Sequence, residues 1–191
     1  DPYVLGAWLG DGTRTCGHIT GLDEEIFTQI EQAGWTIRHL KSRKTRSVSG
    51  LTTALRHLGV LNNKHVPTTY MIGSSEQRLA LLQGLMDTDG YCSPQGTVEF
   101  CNTNHALALA VYRLAGSLGI KPVWKEKRAT LYGKDCGPKY NVYWTDTVPV
   151  FRLTRKLERL RNMTKKVTVG KPRGKFHASS YGVRPNQKLR Y

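Results

Sequence analysis

Val4-Leu5-Gly6-Ala7-Trp8-Leu9-Gly10-Asp11-Gly12 and Leu82-Gln83-Gly84-Leu85-Met86-Asp87-Thr88-Asp89-Gly90 are the two stretches that decide the fold. Set end to end they share Gly at the third place, an apolar residue at the fifth, a small residue at the seventh and a closing Asp-Gly, with the final aspartates 78 positions apart (89 minus 11). Such a repeat calls for one structural unit used twice. Read as helices, each stretch puts its third and seventh residues on one face, Gly6 with Gly10 and Gly84 with Thr88. Small residues there let two backbones approach closely. Helices packed through those faces bring Asp11 and Asp89 together at their carboxyl ends, where Gly12 and Gly90 fit a left-handed terminating residue.

That placement is poor for stability, because a carboxylate at a helix carboxyl end opposes the macrodipole and two carboxylates repel. A divalent cation between them removes both costs. The terminal carbonyls of Gly10 and Thr88 add hard oxygen donors suited to magnesium, with manganese or calcium as substitutes. A single Asp-Gly more often just closes a helix or opens a hairpin, but two copies with matched glycine spacing favour a metal site. Asp87, which faces Leu9 in the alignment, ranks below Asp89 as a ligand and suits a structural role.

Composition points the same way. The chain has 191 residues with 39% hydrophobic, enough for one sizeable core or two small ones sharing an interface. Lys and Arg number 29 against 14 Asp and Glu, a formal charge of +15 that calls for a polyanionic partner, first of all nucleic acid. No stretch reaches the roughly 20 apolar residues of a membrane span, and the amino terminus lacks signal-peptide order. A cytoplasmic or nucleoid-associated microbial protein is expected. Cys16, Cys92, Cys101 and Cys136 form no Cys-x-x-Cys pair and are expected to be reduced. The six histidines show no HExxH or H-x3-H spacing, so no metal is assigned to them.

The segment Leu82 to Gly90 resembles the LAGLIDADG motif of homing endonucleases almost letter for letter, and Leu5 to Gly12 resembles the variant in intein-borne members. Lys64-His65-Val66-Pro67 followed by Arg78-Leu79-Ala80-Leu81-Leu82 resembles the intein-type linker. The resemblance implies an α+β monomer of two pseudo-twofold αββαββα repeats, with central motif helices and saddle-shaped antiparallel sheets on double-stranded DNA. The repeats are expected at 1–74 and 75–191. It implies magnesium-dependent cleavage of both strands at a long asymmetric site, with Asp11 and Asp89 as metal-binding carboxylates and Lys64 as the basic residue near the scissile phosphates. No second Lys-x-Val-Pro exists. Asn186-Gln187-Lys188 echoes Asn62-Asn63-Lys64, which selects Lys188 as the partner lysine, with Lys165 and Lys166 as rivals. An intact intein begins with Cys or Ser and ends in His-Asn. This chain begins Asp1-Pro2 and ends Arg190-Tyr191, so self-splicing is not expected; an endonuclease domain cut from an intein and a free enzyme of intein-like ancestry both fit.

Strand character follows each motif, at Thr13 to Thr20 and Thr97 to Asn102. Helical patterns come next, at Asp23 to Ala33 and Asn104 to Leu118, and then strand-like stretches at Trp35 to Ser49 and Lys121 to Trp144. Arg14, Arg38, Lys41, Arg43, Lys44 and Arg46 supply positive charge in the first half, with His18 as a further DNA-binding candidate beside them. Lys125, Lys127, Arg128, Lys134 and Lys139 match them in the second. A two-stranded ribbon can enter a major groove, where Arg and Lys meet guanine and amides meet adenine. Gln95, Thr97, Glu99, Asn102, Asn141 and Tyr143 are candidate polar readers. Arg161 to Tyr191, dense in Lys, Arg, Gly and Pro, reads as a loop or arm.

Cations held by Asp11 and Asp89 can activate water, offset charge on the phosphate and stabilise the leaving oxygen, without a covalent enzyme intermediate. Two other classes share these features in part: a non-cleaving binder on the same scaffold, acting as RNA maturase or transcriptional regulator, and a basic structural protein of a ribonucleoprotein. Retention of both aspartates favours the nuclease.

Overall fold

The computed structural model describes the backbone of residues 1–167 and the side chains of residues 1–161. Helix α1 (Pro2–Asp11) starts at Asp1, whose carboxylate accepts from the Val4 amide at 3.0 Å; Pro2, lacking an N–H, costs nothing in the first turn. Strand β1 (His18–Thr20), helix α2 (Glu24–Gln32), the hairpin β2 (Ile37–His39) and β3 (Thr45–Val48), and helices α3 (Leu51–His57) and α4 (Thr68–Met71) follow. Helix α5 (Ser75–Thr88) opens with a reciprocal capping box between Ser74 and Gln77. Then come β4 (Gly90–Cys92), β5 (Val98–Asn102), α6 (His105–Ser117), β6 (Val123–Leu131), β7 (Lys134–Trp144) and α7 (Thr154–Val167).

The centre of the molecule is the crossing of α1 and α5, and its glycines explain how close it is. A Cβ on Gly6 would lie 2.2 Å from the Leu81 carbonyl oxygen, and one on Gly84 would lie 2.2 Å from that of Tyr3. Both relations run between positions 78 apart (84 minus 6, 81 minus 3), so the crossing is its own mirror under a twofold exchange. Gly10 faces Thr88, its equivalent, with only 2.0 Å between a built Cβ and the threonine Oγ1. Tyr3, Val4, Leu5, Trp8, Leu82, Leu85 and Met86 pack around this crossing and outward into both sheets. Burial of α1 on nearly all sides is why its sequence shows no polar face.

Two antiparallel sheets flank the helix pair, in the orders β1-β3-β2 and β4-β5-β7-β6. The second half has the full αββαββα order. In the first, the strand after the motif helix shrinks to one bridge, Gly12 to Ile19, which corresponds to the Gly90–Phe100 pair of the second sheet. Residues 13–17 therefore form a turn where strand was expected, tied down by Trp8 Nε1, which donates to the Cys16 carbonyl at 2.7 Å.

Gly12 and Gly90 are not left-handed. Gly12 has φ −78° and ψ 148°, and neither glycine is among the described residues of positive φ. Their need for glycine is one of space: a Cβ on Gly12 would lie 2.3 Å from the Trp8 carbonyl oxygen, and one on Gly90 would lie 2.5 Å from that of Met86. The chain turns straight from helix into extended structure against its own last turn. The expectation of a loop or arm from Arg161 is also corrected in part, since α7 continues to Val167; the remainder lies outside the described residues.

Candidate active site

Asp11 ends α1 and Asp89 caps α5, its amide donating to Leu85 O at 3.0 Å. The crossing brings the two together: a Cβ built on Gly10 comes within 3.5 Å of the Asp89 carboxyl carbon. Desolvation pushes both carboxyls above the ordinary aspartate range, although Asp11 keeps part of its surface in solvent, and the charge of Asp11 pushes Asp89 further. Lys64 and Lys156 pull both back toward ionisation.

These two lysines sit one at each helix end. The Lys64 ammonium donates to the carbonyls of Leu9 and Gly10, both at 3.0 Å, and lies 5.0 Å from the centre of the Trp8 ring. That of Lys156 donates to the carbonyls of Met86, Asp87 and Gly90 at 2.9, 2.7 and 2.6 Å. Cations there meet the carbonyls that gather at the helix carboxyl ends and complement the macrodipole that the aspartates oppose. Burial lowers Lys64 below the ordinary lysine range and Lys156 to about 8.

The lysine at the second helix end is thus Lys156. Lys188 lies outside the described residues, as do the side chains of Lys165 and Lys166. One signal for Lys156 was present in the sequence: Leu153, Lys156 and Leu160 form a buried stripe at positions i, i+3 and i+7, so a lysine occupies an apolar helix face.

Asp87, 1% exposed, is structural. Its carboxylate accepts from Tyr3 Oη at 2.8 Å and from the amides of Arg152 and Leu153 at 3.0 and 3.1 Å, fastening α1 and the approach to α7 onto α5. Asn102 faces the helices rather than the open side of the sheet, and its Nδ2 donates to Asp89 Oδ2 at 3.0 Å. Its assignment as a DNA reader is corrected to that of a partner of Asp89.

Among the described residues no group of three or more His, Cys, Asp or Glu side chains could hold a metal ion. What the helix ends offer is two carboxylates, that of Asp89 half-buried and that of Asp11 open to solvent, plus backbone carbonyls. This all-oxygen set suits magnesium or calcium, which complete their shells with water or phosphate oxygens, and not zinc. The Gly10 carbonyl is not bare as expected, because Lys64 already donates to it.

Residues 76–166, the second motif helix through α7, match the family model of the LAGLIDADG-like domain. The chain carries a LAGLIDADG-like domain. Over 155 residues, 81% of its length, it is 40% identical to the replicative DNA helicase DnaB of Mycobacterium intracellulare, and it spans a quarter (25%) of that protein. Solved structures of the homing endonuclease I-DmoI share the fold. Mesophilic variants of I-DmoI give a TM-score of 0.56 at 16% identity, covering 84% of this chain and 96% of that one. I-DmoI in complex with DNA and Ca gives 0.54 at 15%, with coverage of 84% and 96%. The complex with DNA and Mn gives 0.51 at 16%, with 87% and 93%.

The sheets beside the LAGLIDADG helices sort the remaining candidates. In the second sheet, register places Glu99 opposite Tyr143, and Cys101 opposite Asn141, which in turn faces Lys125; Lys139 faces Lys127. These share the face away from the helices. Lys125 and Lys127 are exposed, and the Lys125 ammonium lies 5.2 Å from the centre of the Tyr143 ring. Asn141 lies on that same open face but is only 4% exposed, and its Nδ2 donates to the neighbouring Glu99, so these two are paired side by side rather than standing free as expected of readers. Arg128 alternates onto the opposite face from Lys125 and Lys127, at a register irregularity, and is committed to Asp135 in a two-pronged pair. Gln95 is exposed and Thr97 half-buried at the turn joining β4 and β5.

In the first sheet, His18, Arg38 and Ser47 lie side by side on the open face, while Lys41, Arg43 and Lys44 occupy the exposed turn between β2 and β3 and Arg14 the turn after α1. Arg46 is corrected. It points inward, 8% exposed, with its guanidinium 4.0 Å from the centre of the Phe27 ring and paired with Glu24. Alternation along β3 decides this, since Arg46 and Val48 fall on the face that meets α2 and α3. Among the described residues no helix is long and apolar enough to cross a membrane.

Proposed function

We propose that the chain is a site-specific DNA endonuclease that makes a double-strand break at a long asymmetric target by metal-dependent phosphodiester hydrolysis, as homing enzymes do. The observation that carries this reading is the convergence of Asp11 and Asp89 at the adjoining ends of α1 and α5, with Lys64 and Lys156 one beside each. The +15 charge and the basic open faces of the sheets support double-stranded DNA as substrate. The DNA- and cation-bound I-DmoI structures of the same fold support it too. In this reading residues 1–74 and 75–191 are the two halves of one monomer, each serving one strand.

A magnesium ion held by Asp11 and Asp89, or manganese in its place, supplies Lewis acidity and a lowered water pKa. The carboxylates would hold and orient it, and a cation there would offset the burial and the neighbouring Asp11 charge that push the Asp89 carboxyl upward. Lys64 and Lys156 place positive charge where the phosphate becomes more negative and the leaving oxygen develops. Lys125, Lys127, Lys139, Arg38 and the Lys41 to Lys44 turn bind the duplex, chiefly through phosphates, and Tyr143 and His18 lie among them toward the base edges. A match confined to a quarter of a replicative helicase is what an insert inside a host protein produces, and it supports an intein-borne origin and a cytoplasmic, nucleoid-associated setting.

Incubation with a randomised duplex library and magnesium, followed by sequencing of the cut ends, tests the reading and reports the target. Asp11→Asn and Asp89→Asn each abolish double-strand cleavage while binding in calcium persists, because each half contributes one carboxylate. Sequence-specific binding without cutting in the unaltered chain would move the protein to the maturase or regulator class.

A further inference from the structure

Lys64 lies in a stretch, residues 62–67, that has no helix or strand of its own, yet its ammonium must be held at the end of α1. Asn62, on one side, donates its amide to the Arg14 carbonyl at 2.7 Å. The Lys64 carbonyl is held from the opposite half of the molecule: Asn104 Nδ2 donates to it at 2.9 Å. Asn104 is the N-cap of α6, and its Oδ1 accepts from the amides of Ala106 and Leu107 at 2.9 and 3.3 Å. Its own amide donates to Asn102 Oδ1 at 2.8 Å, and Asn102 Nδ2 donates to Asp89 Oδ2 at 3.0 Å. A continuous bracket therefore runs Asp89, Asn102, Asn104, Lys64. It joins the carboxylate of one half to the lysine of the other.

The other half moors its lysine in a similar way. Arg155, next to Lys156, pairs through Nε and Nη2 with Asp23 at 3.0 and 2.8 Å, and Asp23 is the N-cap residue of α2. Each lysine segment is thus tied to the N-cap residue of the helix that follows the post-motif strand of the opposite repeat. Asn104 uses both ends of its amide, the oxygen for its own helix and the nitrogen for Lys64. Asp or Ser caps a helix as well as Asn does, so capping alone does not require the nitrogen.

We infer that Asn104, with Asn102, is a positioning residue that fixes Lys64 and Asp89 relative to each other across the two halves. The inference rests on the nuclease reading. Misplacement of a reacting group by about 1 Å slows reaction on the order of 100-fold, and loss of the Asn104 nitrogen frees the Lys64 main chain to move by that much.

The test uses the full chain and three variants: Asn104→Asp and Asn104→Ser, which keep the cap, and Asn104→Ala, which loses it. Single-turnover cleavage of the selected target in magnesium is expected to slow on the order of 10- to 100-fold in the Asp and Ser variants. Their melting temperature and DNA affinity in calcium are expected to stay at wild-type values. Acylation of Lys64 in the free protein, read by mass spectrometry, is expected to rise several-fold as its ammonium leaves the Leu9 and Gly10 carbonyls. Asn102→Ser combined with Asn104→Ser is expected to slow cleavage by less than the product of the single effects, as members of one bracket do.

Wild-type rates and wild-type Lys64 labelling in both cap-preserving variants would overturn the positioning role alone. So would a melting temperature lowered as far as in Asn104→Ala, which would make the residue purely structural. An unaltered chain that cuts nothing overturns the nuclease reading, and the labelling experiment then still decides whether Asn104 holds Lys64.

Discussion

Replacing Lys156 by Met separates what this side chain does for function from what it costs the fold. Lys156 is 5% exposed, and burial brings its ammonium from 10.5 down to about 8. The unfolded chain keeps that proton through the ordinary lysine range, so between pH 8 and 10.5 the folded state binds fewer protons and stability rises with pH. Below about pH 8 both states are protonated and the contribution stays constant at its least favourable value. The gap from 10.5 to about 8 corresponds to about 3 kcal/mol at about 1.36 kcal/mol per pH unit. Lys156→Met conserves volume and removes the titration. Loss of the bonds to Met86, Asp87 and Gly90 carbonyls shifts the variant by an amount that does not depend on pH over this range. Urea unfolding at pH 7, 8, 9 and 10, without DNA or metal, should therefore show the wild type gaining about 2 to 3 kcal/mol on the variant by pH 10. Cleavage of bound target should be lost in the variant. Parallel stability curves for the two proteins over that range would refute the placement of a desolvated ammonium at the end of α5.

Gly84→Ala puts a methyl 2.2 Å from the Tyr3 carbonyl oxygen and 2.6 Å from the Ala7 nitrogen, both backbone atoms that cannot swing aside; thermal or urea unfolding should show a loss of about 3 kcal/mol or more. Arg38→Ala should weaken DNA binding and make its log–log salt slope shallower by about 1, whereas Arg46→Met should leave that slope unchanged and lower stability, which a filter-binding salt series and a melting curve read separately. Asp23 is held below the ordinary carboxylate range by its hydrogen bond and charge pairing with Arg155, so it favours folding above the unfolded aspartate pKa and stops doing so as pH falls through its lower folded value; Asp23→Asn should flatten that part of the acid limb in a pH series of melting temperatures.

The repeat, the crossing helices and the convergence of the aspartates were legible because they depend on local spacing. Four residues make one turn, so Gly6 with Gly10 and Gly84 with Thr88 fix which faces touch whatever else the chain does. The basic hairpins were legible too, since charge in a strand pair says that some face meets solvent. Which side chains of a strand take that face was not. Arg46 and Asn102 read as DNA contacts because they carry the right groups; one packs on Phe27 and the other donates to Asp89, because register and alternation are set by pairing partners far away in sequence.

What the sequence determined by itself is therefore the periodic part: two glycine-faced helices, each ending in an acid, in a strongly cationic chain. The tertiary structure alone decided which further groups gather at those ends beside Lys64. Lys156 reaches the second helix from a segment about 70 residues further on, and Asn104 reaches Lys64 from the other half. Neither has a local pattern relative to its partner. Each is placed by the way whole elements dock around the helix crossing, and docking geometry is a property of packed surfaces rather than of residue spacing.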